Sequence, residues 1–165
     1  ISAGSAGHRG CREKPLAASF VVYGDDMTGL FAQSPAAEHR NDDGHLRMWE
    51  PKPGVVLSSV TGRFSVDLAV PFMDFFEARV KRRGDRGVHG LHDWTAMTGF
   101  DPSIPPRLTA FTLRILHQTR RVVIATHSPM IALAVRAGNL TLRRIELVES
   151  TQALEEATRR VLLEV

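Results

Sequence analysis

Two strand-like segments of the sequence end in polar residues that are able to do chemistry. A serine, a histidine and an aspartate in hydrogen-bonding contact form the catalytic triad of many hydrolases. Here the members would be Ser128, His127 or His92, and Asp93. No Gly-x-Ser-x-Gly turn frames Ser128, and adjacent strand ends collect polar residues in any case. We therefore keep hydrolysis or small-ligand binding at the edge Thr126, His127 and Ser128 as an alternative hypothesis.

The segment from Ile124 to Pro129 (IATHSP) resembles the strand of ABC-type ATPases that ends in a histidine beside the γ-phosphate. That chemistry needs a phosphate-binding loop of the form GxxxxGK[ST], which the sequence lacks. We therefore interpret His127 as a polar residue at a sheet edge, with Ser128 capping the helix that begins at Pro129.

We expect neither a metal nor a cofactor. The chain has one cysteine, Cys11, which excludes an internal disulfide and a cysteine-type zinc site. His89 and His92 are three residues apart in a predicted strand, so their side chains point to opposite faces. His117 and His127 have no suitably spaced partner for a metal.

The composition is that of a globular protein with mixed charge. Hydrophobic residues make up 43% and charged residues 24% of the chain, and the net charge is +3. The arginines are scattered as pairs, without the basic face that nucleic acid requires. No apolar run reaches the roughly 20 residues of a membrane span, and the start of the sequence lacks a signal-peptide h-region. We expect a cytoplasmic protein that binds neither nucleic acid nor membrane.

Residues 1–44 differ in character from the rest of the chain. They are rich in Gly, Ala and Ser, and contain one strand-like run, at residues 19–23. We interpret residues 1–44 as an N-terminal arm that is flexible or loosely attached, and residues 45–165 as one domain.

From residue 45 onwards, the hydrophobic periodicity predicts alternating strands and helices. Two strands at the front form a predicted antiparallel hairpin with its turn at 52–54. Helices separate all later strands, and right-handed crossovers favour parallel pairing. The predicted order is β-β-α-β-α-β-α-β-α, an α/β fold with a mixed, mainly parallel sheet. The strands are predicted at 45–51, 54–64, 86–94, 122–125 and 143–148, and the helices at 71–84, 107–120, 130–137 and from residue 151.

Proline and glycine positions predict where two of the helices begin and end. Pro71 is expected in the first turn of the aromatic-rich helix, because a proline at that position loses no helical hydrogen bond. Gly138-Asn139 is expected to end the apolar helix that starts at Met130.

The segment 91–111, LHDWTAMTGFDPSIPPRLTAF, is the most distinctive of the sequence. Together with the order of the elements, it resembles STAS domains, the fold of bacterial anti-sigma factor antagonists. The resemblance covers residues 45–165. The matching residues of the segment are Asp93, Trp94, Thr98, Gly99, Phe100, Asp101, Pro102 and Arg107.

The resemblance implies a non-enzymatic module that binds a regulatory protein, a kinase or an anti-sigma factor, and is released by phosphorylation. The acceptor in that family lies in an Asp-Ser-Ser-Gly turn, and residues 101–104 hold its place here. Ser103 takes the position of the second serine and is the implied phosphoacceptor. Pro105 and Pro106 remove backbone amides that would bind a phosphate, which favours a simple turn role for Ser103.

Partner binding is therefore predicted on the loop 93–107, together with the first turn of the helix after His127. A third hypothesis is that the chain is a subunit of a larger assembly and docks through its N-terminal arm. Self-association into a homo-oligomer is left open. The predicted contact residues are Asp93, Trp94, Asp101, Ser103 and Arg107.

Overall fold

The computed structural model describes residues 31–165, where seven strands form one mixed sheet with four α-helices. The strand-like run predicted at 19–23 lies outside the described residues. The strands are Ala37–Arg40 (β1), Gly44–Lys52 (β2), Val55–Phe64 (β3), Val88–Asp93 (β4), Met97–Phe100 (β5), Thr119–Ala125 (β6) and Ile145–Val148 (β7). The helices are Val66–Arg83 (α1), Ile104–Ile115 (α2), Pro129–Leu142 (α3) and Thr151–Glu164 (α4).

The sheet has the order β1-β2-β3-β4-β6-β7, with β5 paired to β3 off this path. β1, β2 and β3 pair antiparallel, and all later pairs are parallel. A tight turn at Pro53-Gly54 allows the antiparallel hairpin, and Gly54 has the positive φ of 90° that such a turn favours. The predicted mixed, mainly parallel sheet with a hairpin at its front is confirmed.

Helices cover both faces of the sheet. α1, α2 and α3 pack on one face, in a core that includes Phe72, Phe111 and Ile131. α4 packs on the other face through Leu154 and Val161. β3 is buried on both faces along its first six residues, as expected for a central strand of a two-sided layer structure. Between residues 31 and 165, no helix is long and apolar enough to cross a membrane.

α1 begins one turn earlier than predicted, and Pro71 lies inside it rather than in its first turn. Ser65 is the N-cap residue, and Leu68 and Ala69 already belong to the buried stripe. Hydrophobic burial therefore sets the start of this helix. The missing N–H of Pro71 leaves one helical hydrogen bond unmade, a cost that the buried aromatic face outweighs.

α3 continues through Gly138-Asn139 to Leu142, so the predicted stop at this pair is wrong. Asn139 instead connects the helix to β7. Its Nδ2 donates to the carbonyl of Ile145 at 2.8 Å, and its Oδ1 accepts from the backbone amides of Arg144 (3.0 Å) and Ile145 (2.9 Å). The helix ends where Arg143 adopts a left-handed φ of 51°.

Two short strands were not predicted from the sequence. β1 pairs with β2, so the sheet begins inside the stretch assigned to the arm. The division into arm and domain stays a prediction. β5 has only four residues and pairs with the end of β3. Strands of this length carry too few residues for a hydrophobic period to be recognised.

Replacing Asn139 by alanine should lower the free energy of unfolding by about 2 kcal/mol. The reason is the loss of its three hydrogen bonds to the backbone of Arg144 and Ile145, at the start of β7. Urea denaturation of the purified protein measures this. The matched control is Thr141→Ala on the same helix, which is exposed and should change stability by less than about 0.5 kcal/mol. Equal stability of the two variants would contradict the role given to Asn139.

Candidate functional site

The loop after β4 and the start of α3 lie at the same edge of the sheet. β4 and β6 are parallel neighbours, with Asp93 opposite Ala125. The amide of Trp94 donates to the carbonyl of Ala125 at 2.9 Å, and the amide of Thr126 donates to the carbonyl of Val148 at 3.2 Å. Ligand-binding groups of parallel sheets gather at this carboxyl edge.

Asp93 is engaged in hydrogen bonds within the chain. Its Oδ1 accepts from the amide of Thr95 at 3.0 Å and from the Thr95 hydroxyl at 2.6 Å. Its Oδ2 accepts from the hydroxyl of Thr151, at the start of α4, at 3.3 Å. Asp93 therefore holds the beginning of the loop against the opposite helix layer.

Trp94 is a core residue rather than a surface residue. Its side chain is 5% exposed. The ring packs against Phe64, with centroids 6.0 Å apart, and stacks on His92 at 5.8 Å. The expected role of Trp94 as a direct partner contact is therefore corrected, because packing of the indole leaves almost none of it accessible.

Asp101 fastens the other end of the loop to the start of α1. Its carboxylate accepts from Arg63 Nη2 at 2.7 Å and from the amide of Val66, the first residue of the helix, at 3.1 Å. These two interactions, the arginine first, lower the pKa of Asp101 below its ordinary value. An acidic group at a helix N-terminus also interacts favourably with the helix dipole.

Ser103 and Arg107 are the exposed members of the predicted contact set. Ser103 is the N-cap residue of α2 but makes no side-chain capping bond. The amide of Ile104 donates to the carbonyl of Asp101 at 2.8 Å, and the next two residues are prolines without an N–H. The first turn of α2 therefore offers a phosphate on Ser103 little of the amide binding that helix N-termini usually provide.

The residues considered for a hydrolase triad are not assembled as one in the described structure. The hydroxyl of Ser128 accepts from the amide of Ile131 at 3.4 Å, which confirms its capping role. Asp93 is bound by threonines. His127 is exposed, and His92 is buried in the core. Among residues 31–165, no three His, Cys, Asp or Glu side chains group as a metal site.

A buried Ser58–His92 pair lies beneath this edge and was not predicted. Ser58 Oγ and His92 Nδ1 are 2.8 Å apart, and the two residues are 0% and 3% exposed. Phe72 and Phe76 pack against the imidazole ring. Burial lowers the pKa of His92 to about 3, so the ring is neutral at physiological pH. The sequence does contain a signal for such a pair. Two consecutive serines interrupt the apolar run of β3, and buried hydroxyl groups need hydrogen-bond partners.

α3 carries an apolar stripe on its outer face, which was also missed. The stripe consists of Met130, Leu133 and Leu140, which are 54%, 67% and 80% exposed. Their spacing of three and seven residues puts them on one side of the helix. The sequence of this helix is almost wholly apolar, yet only Ile131 and Leu142 are buried.

The free energy of unfolding should fall by about 1.4 kcal/mol between about pH 7.5 and about pH 5.5 through His92 alone. The pKa of His92 is about 3 in the folded protein against an ordinary value of 6.5. The unfolded chain therefore binds the additional proton in this window, and stability is lost as the pH falls. Urea denaturation of the wild type and of His92→Gln at both pH values gives this difference.

The control for the histidine experiment is His127→Gln, at an exposed position of the same edge. This variant keeps the Ser58–His92 pair, so it should still lose stability as the pH falls, whereas His92→Gln should reduce this loss. An unchanged pH dependence of His92→Gln would contradict a neutral, buried His92.

Asp101→Ala should lower the thermal unfolding midpoint, because the amide of Val66 and the side chain of Arg63 lose their acceptor. Ser103→Ala, two residues away and without a side-chain cap bond, should change stability by less than about 0.5 kcal/mol. Differential scanning calorimetry compares the two. A larger effect of Ser103→Ala would reverse the roles assigned here.

No family model matches the chain, and a search of curated proteins found no match. Among solved structures, the unphosphorylated form of the anti-sigma factor antagonist SpoIIAA aligns with a TM-score of 0.57 at 13% identity, over 71% of this chain and 97% of that one. An uncharacterised protein of the DUF3478 family from Shewanella loihica PV-4, with a SpoIIAA-like fold, aligns with a TM-score of 0.50 at 14% identity, over 74% of this chain and 90% of that one.

At these identities the similarity is one of fold. The alignments cover 97% and 90% of those two chains, so this chain reproduces nearly the whole of each fold. The chain therefore has the SpoIIAA-like fold, as the resemblance to STAS domains had implied.

Proposed function

We propose that the chain is a regulatory protein-interaction module that binds a partner protein of the anti-sigma factor or kinase type. The binding surface is the exposed part of the loop 93–107 together with the outer face of α3. The fold similarity to the anti-sigma factor antagonist SpoIIAA supports a role of this kind. The observation that carries the proposal is the apolar stripe of Met130, Leu133 and Leu140 on α3.

Large apolar side chains in a row on one helix face suit a protein partner. Burying one leucine or methionine side chain contributes about 1.5–3 kcal/mol, so the three residues of the stripe are enough to anchor an interface. Ser103 and Arg107 are exposed polar residues at the same edge of the sheet. An apolar centre with a polar rim is the usual composition of a protein interface.

Ser103 would control this surface through its charge. A phosphate on Ser103 lacks the amides of the α2 N-terminus, because residues 105 and 106 are prolines. Its effect would then be the cost of placing two negative charges at the edge of an apolar interface. Asp93 and Asp101 serve this surface indirectly, since their hydrogen bonds hold the two ends of the loop.

Leu133→Glu should weaken partner binding at least tenfold, because it puts a charge in the centre of the interface. The partner is captured from a lysate of the source organism on the intact protein, identified, purified, and titrated by calorimetry. The matched control is Leu163→Glu, at a leucine that is 83% exposed on α4, in the opposite layer. This control should bind within about twofold of the wild type.

Ser103→Glu should weaken binding in the same assay, and circular dichroism checks that each variant is folded. The proposal is supported if the purified partner is a regulator of the stated type and both the Leu133 and Ser103 variants lose affinity. It is overturned if both variants bind as the wild type does, or if Leu163→Glu is equally impaired.

A further inference from the structure

An apolar cavity of about 100 Å³ lies between the sheet and the helices α2 and α3. Its wall comes from strands of the sheet, the segment after β4, the inner sides of α2 and α3, and two phenylalanines of α1, Phe72 and Phe76. No Lys, Arg, Asp or Glu contributes to the wall within the described part of the chain. Representative lining residues are Phe64, Trp94, Met97, Phe111, Ile131 and Val135.

The size of this cavity sets the size of what it can hold. Protein interiors are close-packed, and an empty space of this volume is destabilising. An engineered apolar cavity of about 150 Å³ binds benzene or xenon. The space between α2 and α3 is smaller than that cavity, so it suits a molecule of at most about six non-hydrogen atoms.

One buried donor of a lining residue has no acceptor among the described residues. Among the residues that line the cavity, Trp94 Nε1 is the buried side-chain polar atom without a hydrogen-bond partner in residues 31–165. Two other polar groups of the wall are paired: His92 Nδ1 with Ser58 Oγ, and the hydroxyl of Thr119 with the carbonyl of Ile115 at 3.0 Å. Buried indole N–H groups usually have an acceptor. We therefore take the unpaired N–H of Trp94 as evidence for a ligand acceptor.

We propose that this cavity binds a small, uncharged apolar molecule whose single oxygen acceptor receives a hydrogen bond from Trp94 Nε1. The indole N–H is a donor only, so the ligand needs an acceptor oxygen such as that of a carbonyl or ether group. A charged ligand is excluded, because the described wall supplies no opposite charge and burying an unpaired charge is costly.

The route of entry lies between the two helices. The lining residues of α2 and α3 that are partly exposed include Leu108, Thr112, Ala134 and Val135. The outer stripe of α3 faces away from this wall and takes no part in it. The ligand site therefore shares no residue with the apolar stripe of the proposed interface, while the segment 93–107 contributes to both.

The test is a pair of probes of equal shape, cyclopentanone and methylenecyclopentane, which differ only in a carbonyl oxygen against a CH₂ group. Proton–nitrogen correlation spectra of the intact protein resolve the two indole N–H signals, and Trp49→Phe assigns them. Trp49 is the matched control, because its Nε1 already donates to the carbonyl of Gln33 at 2.9 Å on the other face of the sheet. Cyclopentanone should shift the Trp94 indole signal downfield and leave the Trp49 signal in place.

Trp94→Phe should reduce the preference for cyclopentanone over methylenecyclopentane by about five- to tenfold, the value of one hydrogen bond. Trp49→Phe should leave the preference unchanged. Ala134→Phe should abolish binding of both probes, because the larger side chain fills the cavity. If Ala134→Phe does not fold, Leu108→Phe serves the same purpose. The proposal is overturned if neither probe binds, or if cyclopentanone binds without shifting the Trp94 indole signal. Either result would identify the cavity as a packing void.

Discussion

Two-sided burial of the central strands is the constraint on which the rest of this structure depends. β3, β4 and β6 lie between α1, α2 and α3 on one face and α4 on the other. Polar side chains within these strands must therefore find partners inside the protein or move to the strand ends. Ser58 and His92 lie inside the protein and are hydrogen-bonded to each other. The other polar residues lie at the carboxyl ends of the strands.

The same constraint bonds the segment 93–107 to the rest of the protein at two points. Asp93 joins one end of the loop to α4, and Asp101 joins the other end to α1. Trp94 fills the space between the loop and the core. What remains accessible is a small set of polar side chains near the start of α2.

α3 has two faces with different partners. Its inner side contributes Ile131 to the core and lines the apolar cavity, while its outer side exposes Met130, Leu133 and Leu140. Asn139 fixes the orientation of the helix by three hydrogen bonds around the turn to β7. Since this orientation decides which apolar residues are outside, Asn139, the residue before Leu140 of the stripe, helps to set the composition of the proposed interface.

The sequence by itself determined the fold class, the hairpin at the front of the sheet, the parallel pairing that follows, and the capping role of Ser128. Each of these depends on local periodicity or turn chemistry, which neighbouring residues carry. Only the tertiary structure decided the rest. Trp94 is buried, Asp93 and Asp101 are bound within the chain, and half of an apolar helix faces outward. Burial and pairing depend on which elements meet in space, and the periodicity of one helix does not specify which of its apolar residues will find a neighbour.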